Sequence, residues 1–125
     1  MSSDLPGMIR DFYQAFYNDK DLQKARSMMA DDLNNHHPRA GVGADNTIDA
    51  IQIFLFTPFP EFSVEIKRIA EDGDLVWVHS YTRNDATDPG SMAVDIWRIT
   101  DGKIAEHWDV VQPVPDGVDP ISMYD

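Results

Sequence analysis

Residues 104–113 read IAEHWDVVQP, and within them His107 and Asp109 stand two positions apart. In a β-strand, side chains two apart point to the same face, so this spacing places an imidazole and a carboxylate on one surface. Upstream, beyond the turn-forming TDGK, the segment MAVDIWRI offers Asp95 and Trp97 with the same spacing. A carboxylate held among apolar groups has a raised pKa and is a competent base for removing a proton next to a carbonyl. A second carboxylate close by drives the two pKa values apart, leaving one acid as donor and the other as base. Asp109 fits the role of base and Asp95 that of its partner.

The register of the hairpin decides whether these groups meet. If Thr100, Asp101 and Gly102 form a three-residue loop with Gly102 left-handed at a bulge, Ile99 pairs with Lys103. Asp95 then lies opposite His107, Ala93 lies opposite Asp109, and Asp95, His107, Asp109 and Trp97 share a face. A two-residue turn at Asp101–Gly102 sets Asp95 beside Trp108 and dissolves the cluster. The three-residue loop is the expected register. The competing reading of Asp95 and Asp109 is that they are solvated, or paired with Arg98 or Arg83.

Three further histidines divide by context. His36 and His37 precede Pro38 in a turn-rich segment, where an imidazole can hydrogen-bond a substrate oxygen or orient a carboxylate; His36 is expected to be catalytic and His37 to contact substrate. No carboxylate or third histidine stands at ligand spacing beside them, so no metal site is expected. His79 shares its parity with Trp77 and Tyr81, and is a minor substrate-contact candidate against the plainer reading of a satisfied sheet histidine. The glycines of GVGAD follow no strand and lack a third partner, so they are loop rather than dinucleotide fingerprint, and no cofactor is expected.

The elements that must position these groups follow from periodicity. Met8, Ile9, Phe12, Phe16 and Tyr17 form a helical stripe, and Asp4 suits the cap. Asn18, Asp19 and Lys20 interrupt it, and DLQKARSMMA reads as a second helix with Leu22, Ala25, Met28 and Met29 inward. The polar DDLNNHHPRAGVGADN reads as turns, and TIDAIQIFLFTPF as a third helix ended by Pro58. After Pro60 the pattern turns strand-like: FSVEIKRIA, LVWVHSYTR, MAVDIWRI and IAEHWDVVQP, separated by EDGD, NDATDPGS and TDGK. Three helices followed by a four-strand antiparallel meander predict an α+β fold with the helices covering one face of a curved sheet. Phe12, Phe16 and Phe54 are candidates to line a cavity between the layers. The tail VPDGVDPISMYD is expected to wrap the surface or reach a neighbouring subunit.

Whole-chain properties limit the function classes. The 125 residues suffice for one domain, 1–125, with a small interior pocket. A net charge of −12 repels phosphate backbones, so nucleic acid is not an expected partner. No stretch approaches the ~20 apolar residues of a membrane helix. The N-terminus lacks a basic start followed by an apolar run, and cysteine is absent; a cytoplasmic location and no disulfides are expected. The second face of an open sheet predicts burial in a two-fold dimer.

The order of three helices and a long meander, the NNHHPRAGVGAD segment and VDIWRITDGKIAEHWDVVQP together resemble SnoaL-like polyketide cyclases, in the nuclear-transport-factor-like superfamily. The resemblance covers nearly the whole chain. It implies a cone of curved sheet closed by helices around an apolar pocket, usually dimeric, with neither metal nor cofactor. It implies that the acidic residue of the last strand, Asp109 here, serves as acid and base in an intramolecular aldol closure. A histidine of the cyclases is replaced by Asp95. The expected function is therefore acid–base chemistry, of lyase or isomerase type, on a small carbonyl compound. The alternatives are a non-catalytic binding module for a small apolar ligand, and an epoxide-hydrolase-like enzyme, which needs Arg83 or Arg98 in the pocket beside Asp109.

Overall fold

The computed structural model describes residues 4–125. Helix α1 spans Leu5–Tyr13 and continues through a wider π-helical turn, Gln14–Asn18. The Asp4 side chain accepts the Gly7 N–H at 2.9 Å, which satisfies one of the donors a helix start leaves open. Ile9, Phe12, Tyr13 and Phe16 face the core. Lys20, at φ 54°, breaks the helical path, and Asp21 caps α2, Leu22–Ser27.

The next segment differs from the expected helix end and turns. Met29–Asn35 is a strand, β1, which lies parallel to the last strand of the sheet. Met29, expected at the end of the second helix, opens it. Only Met29, Leu33 and Asn35 turn inward, while Asp31, Asp32 and Asn34 are exposed, so the segment reads as polar. Helix α3, Ala44–Ile51, follows and also ends in a π-helical turn, Gln52–Phe56. Strands β2 (Ser63–Asp72), β3 (Leu75–Arg83), β4 (Ser91–Thr100) and β5 (Lys103–Pro113) make the antiparallel meander. The sheet is therefore five-stranded and mixed, in the order β1-β5-β4-β3-β2, where an all-antiparallel four-strand sheet was expected. The α+β class and the helices over one face stand.

The core between the layers is built on Ile9, Phe12, Phe16, Leu33, Val76, Val78, Trp97 and Ile104, each nearly or fully enclosed. Phe12 and Trp97 meet edge to face with centroids 5.1 Å apart. The tail from Val114 folds back on its own chain and ends in a short helix, α4 (Ile121–Tyr124). There Tyr124 packs on Tyr81 at 5.2 Å, beneath the Lys67 ammonium at 3.8 Å.

The β4–β5 hairpin corrects the expected register. Asp101 and Gly102 both have positive φ, 52° and 76°, and make a two-residue turn with Thr100 paired to Lys103. That turn alone would place Asp95 beside Trp108. A bulge intervenes: Ile99 pairs with Ile104 and Arg98 with Glu106, leaving Ala105 without a partner. The extra residue restores the parity, so Asp95 pairs with Asp109 and Trp97 with His107. Asp95, His107, Asp109 and Trp97 share the concave face, through a bulge at Ala105 rather than the three-residue loop expected. Asp95 stands opposite Asp109, not His107, and Val111 rather than Asp109 faces Ala93.

Candidate active site

A cavity of about 540 Å³ lies between the concave sheet face and the helices. Its apolar wall includes Phe16, Leu55 and Phe62, and Phe54 stands at its half-exposed mouth. Its polar lining includes Asp95 on β4, His107 and Asp109 on β5, Ser80 on β3, Asn35 at the end of β1, and His37 and Arg39 in the loop after it.

His107 is buried, with its ring stacked on Trp97 at a centroid separation of 3.9 Å. Its Nδ1 lies 2.9 Å from Asn35 Oδ1, and its Nε2 lies 2.7 Å from Asp95 Oδ1. Trp97 is held in turn by its indole N–H, which donates to Tyr13 Oη at 3.0 Å. Asp109 lies beside this pair, its side chain 15% exposed, with Oδ2 3.8 Å from His37 Nε2. Burial raises the Asp109 pKa, and the neighbouring Asp95 raises it further; His107 and His37 offset part of the rise. Burial, and then the charge of Asp95, push the phenols of Tyr13 and Tyr17 well above the usual tyrosine range. Both phenols line the cavity and stay protonated as hydroxyl donors.

Donor atoms of Asp95, His107 and Asp109 lie within 4.8 Å of one another. Both ring nitrogens of His107 are already taken by Asn35 and Asp95 at hydrogen-bond distance. The cluster is thus wired for sharing protons.

The other expected site residues fall elsewhere. Asn35 is aligned with His107 on the adjacent parallel strand and faces inward, so alternation turns His36 outward. There His36 stacks on Trp108 at 5.0 Å and sits 2.7 Å from Glu106, whose carboxyl it holds below the usual range. The assignment of His36 as catalytic is corrected on that ground, and His37 takes the position over the cavity. His79 also lies on the outer face, against Arg68, with a pKa lowered by its burial and then by that guanidinium. Phe12 belongs to the core beneath Trp97, not to the cavity wall. Arg98 is bound to Asp74 and Glu106 on the outer face, and Arg83 is exposed beside Tyr81. Neither guanidinium reaches the cavity, so neither supplies the arginine that the epoxide-hydrolase alternative needs beside Asp109; the arginine of the lining is Arg39, whose guanidinium lies over the Phe54 ring at 4.9 Å.

Asn35 and Tyr17 are site groups with no role expected from the sequence, and Tyr13 stands among the aromatic residues that could line a cavity. The two tyrosines sit four apart on the inward stripe of α1, a signal that was available. Asn35 was hidden in a segment read as turns.

A curved sheet with helices over one face is a fold this chain shares with several solved structures. IdmH of Streptomyces antibioticus, a candidate polyketide cyclase, is 21% identical over 96% of this chain and 97% of its own, with a TM-score of 0.74. A candidate ketosteroid isomerase from Kribbella flavida is 14% identical over 90% and 80%, also at 0.74. An NTF2-like protein of unknown function from Cytophaga hutchinsonii is 12% identical over 100% and 98%, at 0.69. Within this fold the chain belongs to the SnoaL-like domain family, whose model matches residues 9–107. Comparison with curated proteins gives no match. Among the described residues no helix is long and apolar enough to cross a membrane.

Proposed function

We propose that this protein catalyses proton transfer at carbon next to a carbonyl, as an intramolecular aldol cyclase or a related isomerase acting on a small, largely apolar compound. The observation that carries the reading is Asp109: a carboxylate of raised pKa, beside the Asp95–His107 pair, at the wall of a cavity lined by two neutral phenols. Asp109 takes the α-proton. The electron pair moves onto the carbonyl oxygen, where a phenol O–H of Tyr17 or Tyr13 donates to the developing charge in a low-dielectric site. In a cyclase, the enolate carbon attacks a second carbonyl of the same molecule, and the resulting alkoxide recovers the proton from Asp109. In an isomerase, the same proton returns at another carbon. No oxidant or reductant is consumed in either course.

The family match and the polyketide-cyclase and isomerase neighbours support this class of chemistry. A simple probe tests it. A soluble β-dicarbonyl compound incubated in D₂O should exchange its α-hydrogen faster with the enzyme present, with a rate that rises with pH through the Asp109 pKa. Tight binding of carbonyl ligands without accelerated exchange at any pH would replace the enzyme by a binding module.

A further inference from the structure

Three hydrogen bonds around Asn35 determine where the protons of this site reside. The backbone N–H of His37 points at the Asn35 side chain at 2.9 Å. A backbone amide only donates, so the atom it meets is the amide oxygen, Oδ1. The other end of the amide agrees, since Nδ2 donates to Thr47 Oγ1 at 3.2 Å. That same Oδ1 lies 2.9 Å from Nδ1 of His107. Two acceptors cannot face each other at that distance, so Nδ1 carries hydrogen. The far nitrogen, Nε2, stands 2.7 Å from Asp95 Oδ1, a contact that needs one more proton between the two atoms. His107 and Asp95 therefore hold two protons together and form a pair with no net charge. His37 has the reverse arrangement: the Arg39 N–H donates to its Nδ1 at 3.2 Å, which leaves hydrogen on Nε2, aimed at Asp109.

We propose that Asn35 is a positioning residue that holds His107 as a donor at Nδ1 and thereby keeps the His107–Asp95 pair neutral beside Asp109. The carboxylate of Asp109 is then the site's one uncompensated negative charge. The titratable groups facing it are Asp95 from β4, His107 from β5, His37 from the loop after β1 and Tyr17 from the end of α1. The inference rests on the acid–base reading of the site and adds to it the residue that sets the proton count. Without the Oδ1 acceptor, His107 is free to keep its single hydrogen on Nε2 and donate it to an ionised Asp95. The pair then carries a net charge of −1, and Asp109 ionises less readily.

The test needs no substrate. ¹⁵N spectra of the histidine-labelled protein at neutral pH should show hydrogen on Nδ1 of His107 and on Nε2 of His37. Asn35→Leu should lose the Nδ1 hydrogen of His107, and the ¹³C carboxyl titration of Asp109 should move up by about one pH unit, the effect of one added charge nearby. Asn35→Asp, which keeps an acceptor oxygen, should retain hydrogen on Nδ1. A wild-type His107 that carries hydrogen on Nε2 alone would overturn the proposal without any variant being needed. So would a folded Asn35→Leu with an unchanged His107 spectrum. Because tautomers are read independently of turnover, a failure of the proton-transfer chemistry itself would appear separately, as absent exchange with the expected spectra.

Discussion

Tyr13→Phe removes one oxygen from the centre of the molecule, and its cost can be worked from the contacts around it. Tyr13 is 2% exposed and Trp97 1%. Their hydrogen bond, Trp97 Nε1–H to Tyr13 Oη at 3.0 Å, is the one satisfied contact of the indole N–H. The two rings meet edge to face at 5.9 Å, a packing that phenylalanine preserves. The substitution therefore leaves a buried N–H without its protein partner, which costs about 1–3 kcal/mol. At this chain length 1 kcal/mol corresponds to roughly 4 °C in Tm, so the variant should melt roughly 4–12 °C lower. Thermal and urea unfolding measure this directly, and a double-mutant cycle with Trp97→Phe isolates the pair. Since Trp97 also stacks on His107, the ring resonances of His107 should shift in the variant. A loss below about 0.5 kcal/mol, with no coupling to Trp97, would refute the claim that this contact supports the site.

Further outcomes follow from other groups. Ser80 is fully buried at the cavity wall, and its hydroxyl has no hydrogen-bond partner among the described residues; Ser80→Ala should leave unfolding free energy unchanged or raise it, and a loss above about 1 kcal/mol would contradict that. Asp109 has a folded pKa raised above its unfolded value, so its contribution to stability is complete below the unfolded pKa and is lost as pH rises through the folded one. Asp109→Asn should therefore melt higher than the wild type at neutral and alkaline pH, with the gap closing in acid; a lower Tm at pH 8 would reverse the sign. The outer sheet face leaves Trp77 and Val110 open, 41% and 68% exposed. Light scattering at micromolar concentration should give twice the chain mass if a second copy covers that face, and a monomer would remove the dimer expectation.

How much of this was legible beforehand depended on the kind of signal. Strand alternation and turn residues marked the meander, and the i, i+2 spacing of His107 with Asp109 and of Asp95 with Trp97 gave their common face. The pairing itself was misassigned, because a bulge at Ala105 is set by local ladder geometry and leaves no residue signature in an alternating strand. β1 was missed because only Leu33 among its middle residues is apolar and inward, so the segment looks like solvated turn. With β1 unseen, the alternation that sends His36 outward and Asn35 inward could not be read, and the wrong histidine of the pair was favoured. His79, by contrast, kept the parity of Trp77 and Tyr81, which places all three on the outer face.

The measurement that tests the central claim most directly is α-proton exchange of a β-dicarbonyl probe in D₂O by Asp109→Asn, compared with the wild type. Asparagine keeps the volume and removes the proton acceptor, so the exchange rate should fall by roughly 10²- to 10⁴-fold while binding of the probe is retained. Exchange at the wild-type rate in the folded variant would contradict the assignment of Asp109 as the base.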